Sequence, residues 1–178
     1  MNVIETKLKD CFIIEPAVYN DSRGYFFESF NRAGFERLTK QSGAFVQDNQ
    51  SSSGYGVIRG LHFQQGEFAQ AKLIRILEGK VLDVAVDLRK HSATYGQWIA
   101  EELSAENKRQ LYVPRGFAHG FSVLSLNAVL LYKCDNVYDK NAEGGIRYDD
   151  PVLGIDWGIP VTQRILSEKD LHLPFVEL

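Results

Sequence analysis

The sequence reads as an all-β (mainly β) protein of antiparallel strands with a few short helices. Three observations carry this expectation. Apolar and polar residues alternate with a period of two in several runs. The runs are short and bounded by Gly, Pro, Asn and Asp. Helical periodicity is confined to two brief stretches. Many short strands joined by turns fit an antiparallel sandwich or small barrel, whose mouth can hold a ligand.

Taken in order, the first strand signal is "GYFFESF", from Gly24 to Phe30. It leads into "NRAGFERLTKQSG", where Asn31 is a capping residue, the following turns are amphipathic, and Gly43 is the expected stop. "KLIRILEGKVLDVAVDLR" holds two alternating runs around Glu78-Gly79-Lys80 and predicts a hairpin. In the first run Lys72, Ile74 and Ile76 share a face. In the second, Leu82, Val84, Val86 and Leu88 share one face, and Asp83 and Asp87 share the other with Val81 and Ala85. "QLYVPRGFAHGFSVLS" is a further β region, broken at Pro114-Arg115-Gly116, and "NAVLLYKCDNVY" is another. "LSEKDL" near the end predicts a short helix capped by Ser167, with Asp170 three residues on.

The chain of 178 residues is expected to form a single domain, residues 1–178, because no linker or repeat interrupts it. Its net charge of −3 implies no broad basic surface for nucleic acid. The N-terminus "MNVIETKLKD" carries no long apolar run, and no stretch is long enough to span a bilayer, so a cytoplasmic protein is expected. Cys11 and Cys134 form no CxxC pair, which predicts two reduced thiols.

The motif "RGLHFQ", Arg59 to Gln64, raises the functional question. His62 reads as a satisfied core group, a metal ligand or a proton-transfer base. Pro114, Gly116 and His119 fit the PxGxxH turn of metal-binding jelly rolls. The companion HxH pair is missing, because Gln64 stands where a second histidine is needed, and Lys72 crowds the place of an acidic ligand. Two histidines beside a cation are too few donors for a divalent ion, so no metal is expected.

Proton abstraction beside a carbonyl suits the residues better. A histidine, with a pKa of about 6.5, is a base for neutral pH. A lysine can hold an enolate oxygen. A tyrosine can supply a proton from the opposite face, and a carboxylate such as Asp170 can orient the histidine. Read singly, each residue has a plainer explanation. Lys72 fits a strand-end lysine that snorkels to water. Tyr132, on one face with Leu130 and Ala128, fits core packing. Arg23 and Glu28 fit a surface pair of little energetic weight. Tyr138 fits a loop aromatic.

Six blocks in order resolve the choice: "DSRGYFFESF", "QDNQSSS", "GVIRGLHFQ", "VPRGFAHGF", "YDDPVLGIDW" and "LSEKD". Together the blocks, nearly end to end, resemble the dTDP-4-dehydrorhamnose 3,5-epimerase family. The resemblance implies a cupin-like jelly-roll barrel that needs no cofactor. It implies His62 as the base at carbons 3 and 5 of a dTDP-4-keto-6-deoxy sugar, with Asp170 as its partner. Lys72 would hold the enolate oxygen, and Tyr132 would be the acid. Arg23, Glu28, Gln47, Asp48, Asn49, Arg59, Lys72, His119, Glu143 and Lys169 would line the nucleotide-sugar site. Tyr138 would stack on the thymine. A homodimer is implied as well, with the N-terminal strand "DSRGYFFESF" exchanged so that Arg23 and Glu28 serve the partner's pocket. The same resemblance leaves open an epimerase of one carbon or a ketoisomerase. More remotely, it leaves a nucleotide-sugar binding module without catalysis.

Finally, Arg59 and His62 are three residues apart, and a regular strand would send them to opposite faces. If both reach one ligand, a bend or bulge is expected near Gly60.

Overall fold

Each alternating run forms a strand, and the strands divide between two sheets. The structure is a computed structural model and describes residues 1–177. One sheet holds six strands in the order β1 (Asn2–Glu5), β2 (Phe12–Glu15), β10 (Gln110–Val113), β7 (Lys72–Glu78), β12 (Asn127–Cys134) and β5 (Gln47–Gly54). The other holds five, in the order β13 (Glu143–Gly145), β6 (Ile58–Gln64), β11 (Phe117–Val123), β8 (Lys80–Asp87) and β9 (Trp98–Ser104). Every neighbouring pair in both sheets is antiparallel. This is the expected mainly-β, cupin-like jelly-roll architecture. A separate ribbon pairs β3 (Val18–Asp21) with β4 (Gly24–Phe27) and exposes Tyr19, Tyr25 and Phe26.

The expected hairpin at Glu78-Gly79-Lys80 is corrected. β7 bonds to β10 and β12, whereas β8 bonds to β11 and β9. The two runs therefore lie in different sheets, and the chain turns a corner at Gly79, where φ is +74°. A Cβ there would lie 2.0 Å from the backbone oxygen of Asn127, so glycine is required on two counts. Period-two alternation reports which face a residue takes and says nothing of which strand lies alongside. Pro114-Arg115-Gly116 makes a second such corner, between β10 and β11.

The faces themselves follow the alternation. Ile74, Ile76, Val81, Ala85, Ala128 and Leu130 point between the sheets and form the main core, with Tyr132 packed against it. Val84 and Val86 point the other way and are covered by Ile155 and Trp157 of the C-terminal region. On the outside of the six-stranded sheet, helix α1 (Arg32–Thr39) buries Phe35 against Phe12, Leu73 and Tyr112. Asn31 caps it as expected, accepting from the backbone N–H of Gly34 at 2.9 Å. Its end differs from expectation. The helix stops at Lys40, which takes the left-handed conformation (φ +58°), three residues before Gly43. Helix α2 (Glu168–Leu171) is capped by Ser167, whose Oγ accepts from the Asp170 N–H at 3.2 Å. No helix among the described residues is long and apolar enough to cross a membrane.

Candidate active site

A cavity of about 420 Å³ opens between the sheets, lined by Arg59 and His62 of β6, Lys72 of β7, His119 and Phe121 of β11, and Tyr132 of β12. Lys169 and Asp170 of α2 complete its wall. The strand positions explain the convergence. Lys72 and Tyr132 lie at the inner-face end of their runs, beyond Ile74 and Leu130, where the core gives way to the cavity.

Arg59 and His62 both reach this cavity, and the bulge expected between them is present. The β6–β11 register slips between His119 and Phe121. Gly60 has φ +135°, and a Cβ there would stand 2.5 Å from the Cα of Gly120. Only glycine allows the strands to approach so closely with that backbone. The Gly60–Leu61 peptide is cis.

His62 Nε2 lies 2.7 Å from Asp170 Oδ1, although the residues are 108 apart in sequence. The other carboxylate oxygen accepts from the Gly60 N–H at 3.4 Å. Burial alone would raise the Asp170 pKa, but the hydrogen bond and charge of His62, helped by Gly60 and Ser167, outweigh it and the net direction is down. Asp170 is thus an anion at neutral pH, fit to orient the histidine. Burial pushes the Lys72 ammonium below the ordinary lysine range, against the raising influence of Cys134, Asp83 and Glu143. Burial also pushes the Tyr132 phenol up, so it holds its proton at neutral pH. The Lys72 Nζ lies 6.0 Å from the centre of the Tyr132 ring.

A second lobe of about 280 Å³ adjoins the first, with His62, Lys72 and Tyr132 common to both walls. It adds Gln47 and Asn49 of β5 with Tyr138 and Glu143. Its polar groups are bonded to one another. Gln47 donates to Asn49 at 3.0 Å and accepts from the Tyr138 N–H at 3.3 Å. The Tyr138 hydroxyl donates to Glu143 at 3.1 Å, and Glu143 also holds Lys169 in an ion pair. Burial raises the Glu143 pKa, and the hydrogen bonds from Lys169 and Tyr138 reverse that and bring it down.

Three of the expected site residues lie elsewhere in the chain. Asp48 points to the outer face of β5 and pairs with Lys133 at 3.0 Å. Its neighbours Gln47 and Asn49 face the pocket, so the alternation itself excludes Asp48 from that wall. Arg23 is 88% exposed and pairs with Asp21, and Glu28 is exposed beyond the end of β4. Neither lines the cavity of its own chain. In the other direction, the cavity takes Ser51, Val57, Phe121, Leu130, Ile165 and Leu166, which the sequence reading did not single out. His119 has a partner that was also missed. Its Nε2 lies 2.8 Å from Asp83 Oδ1. The signal was visible, since Asp83 interrupts an apolar face between Val81 and Ala85.

Among the described residues no group of three His, Cys, Asp or Glu side chains converges as a metal site. Cys11 and Cys134 are free, buried thiols.

Comparison with known proteins extends this picture. The chain is 52% identical over 178 residues to the dTDP-4-dehydrorhamnose 3,5-epimerase of Salmonella typhimurium strain LT2, covering 99% of this chain and 96% of that protein. The crystal structure of dTDP-4-dehydrorhamnose 3,5-epimerase from Elizabethkingia anophelis NUHP1 superimposes with a TM-score of 0.96 at 59% identity, covering 98% of this chain and 96% of that one. The epimerase of Legionella pneumophila Philadelphia 1, solved in complex with dTDP-4-keto-L-rhamnose, gives 0.93 at 48% identity, covering 98% and 92%. The family model described as dTDP-4-dehydrorhamnose 3,5-epimerase matches residues 5–177, and the chain belongs to that family.

Proposed function

We propose that this protein is a dTDP-4-dehydro-6-deoxy-D-glucose 3,5-epimerase that forms dTDP-4-dehydro-L-rhamnose on the route to dTDP-L-rhamnose. The observation that carries the reading is the His62–Asp170 pair at 2.7 Å, opening on one cavity with Lys72 and Tyr132. In this mechanism His62 removes the proton beside the ketone, first at one carbon and then at the other. Asp170 orients the imidazole and steadies its charged form. Lys72 holds the oxygen of each enolate, and Tyr132 returns a proton from the far face. After each round the His62 imidazolium gives its proton to water and the Tyr132 phenolate takes one from water, which resets both groups. A positioned base or acid is typically worth 10²- to 10⁴-fold in rate, about 3–5 kcal/mol of barrier. The substrate's own ketone acidifies both neighbouring carbons, so neither a metal nor a redox cofactor is required.

The diphosphate and thymine occupy the second lobe and the cavity rim. Arg59, Lys169, Gln47, Asn49 and Glu143 supply polar contacts there, Tyr138 stacks on the base, and His119 faces the sugar in the first cavity. Arg23 and Glu28 act in the neighbouring subunit of a homodimer, carried there by the β3–β4 ribbon. Their distance from the cavity of their own chain supports this, as do the exposed aromatics of the ribbon. The protein works in the cytoplasm, as a single domain over residues 1–178.

The test is proton exchange in heavy water with dTDP-4-keto-6-deoxyglucose, followed by NMR. Deuterium should enter carbons 3 and 5, and both signals should vanish in His62→Asn. Exchange at one carbon only would move the assignment to a single-site epimerase. Tight dTDP binding with no exchange would leave only a binding module.

A further inference from the structure

Asp83 is a fully buried carboxylate that the chemistry above does not use. It sits on the inner face of β8, between Val81 and Ala85, both of which pack in the core between the sheets. Its Oδ1 contacts Nε2 of His119 at 2.8 Å. Its Oδ2 has no hydrogen-bond partner and is the single buried side-chain nitrogen or oxygen in that condition among the described residues. Packing does not explain such a group, since an apolar side chain of similar size would fill the position without the desolvation cost.

A carboxylate only accepts, so the contact makes Nε2 of His119 the donor. That leaves Nδ1 as the ring nitrogen available to the cavity, which His119 lines with Arg59, His62, Lys72, Tyr132, Lys169 and Asp170. A neutral imidazole held this way offers a lone pair at Nδ1. The negative charge on Asp83 has a counterpart in Lys72, whose protonated form it favours against burial. We infer that Asp83 is a positioning residue: it holds His119 in the Nε2–H tautomer, so that Nδ1 accepts a hydrogen bond from a hydroxyl of the keto sugar. The tautomer is a statement about the ring alone, and its use on a sugar rests on the epimerase reading.

The measurement is ¹⁵N NMR of the full chain with labelled histidine at mildly alkaline pH, with the His119 signals assigned from their loss in His119→Asn. The wild-type protein should show a protonated Nε2 and an unprotonated Nδ1 at His119. In Asp83→Asn the amide can donate as well as accept, so the two tautomers should mix. With the keto sugar, kcat/KM of that variant should fall by about tenfold, the scale of one lost hydrogen bond and no more than the loss of His119 itself. Affinity for dTDP, which lacks the sugar, should be unchanged, whereas a purely structural role would lower both. An Nδ1–H tautomer in the wild-type protein overturns the proposal even if Asp83→Asn does not fold. So does a variant that keeps both tautomer and kcat/KM. Absence of deuterium exchange in the wild-type protein would sink the epimerase reading, while the nitrogen shifts would still decide whether Asp83 fixes the ring.

Discussion

The molecule contains two His–Asp pairs that stand side by side. His62 and His119 are register partners across β6 and β11, and their carboxylates lie at 2.7 and 2.8 Å. Their surroundings differ. The His62 side chain is 29% exposed, and its carboxylate has further donors in Gly60 and, through the cap, a tie to Ser167. The His119 side chain is 8% exposed, and its carboxylate is at 0% with one oxygen unpartnered. One pair therefore meets the cavity with room for a proton to come and go. The other is held in the wall between the sheets. The same two residue types at the same separation suit proton transfer in one setting and fixed orientation in the other, and access decides between them.

The widest separation between the pairs should appear in turnover. His62→Asn should lower kcat by 10²-fold or more, up to about 10⁴, the range for loss of a catalytic base. His119→Asn should keep exchange at carbons 3 and 5 and lose only about tenfold, the scale of one hydrogen bond to the sugar. Steady-state rates with the keto sugar check this, and equal losses would erase the distinction.

Stability should rank the pairs in the opposite way. Replacing Asp83 and His119 together with leucines should leave unfolding free energy within about 1 kcal/mol of wild type, or raise it, because a buried polar pair with an unpartnered oxygen returns little for its desolvation. Asp170→Leu alone strands the His62 ring and the Gly60 N–H, and should cost about 1–3 kcal/mol. Urea unfolding of the variants measures both.

The smallest effect is in the pH dependence of folding. Asp170 has a folded pKa below its unfolded value, which is near 3.9 for an aspartate. Its contribution is therefore full above the unfolded pKa and is lost as pH falls through the folded one. Asp170→Asn should flatten the fall in stability below about pH 4, and equilibrium unfolding across that range would show it. A slope unchanged by the substitution would mean that the pair gives no pH-linked stability.

Much of this site was legible before the fold. Residue chemistry together with the family blocks groups His62, Lys72, Tyr132 and Asp170, and all four line one cavity. The bulge at Gly60 followed from counting faces. Other features escaped for identifiable reasons. Asp48 was grouped with Gln47 and Asn49 by proximity in sequence, although strand alternation turns it outward to Lys133. Asp83 was seen to share a face with Val81 and Ala85, but nothing local joined it to His119, 36 residues away. Gly79 looked like a hairpin because a one-glycine break between alternating runs has the same local signature whether the chain folds back or turns a corner.

By itself, the amino-acid sequence determined which side chains share a face, where the helices begin, and which chemical groups were available. Each of these depends on backbone geometry within a few residues, with period two in strands and capping at helix starts. Tertiary structure alone decided which strands lie alongside, that β7 and β8 part company, and that His62 meets Asp170 across 108 residues. It also set the two histidine pairs apart by exposure. Those outcomes come from non-local pairing and burial, where the energy of packing one sheet on another outweighs any preference the local chain expresses.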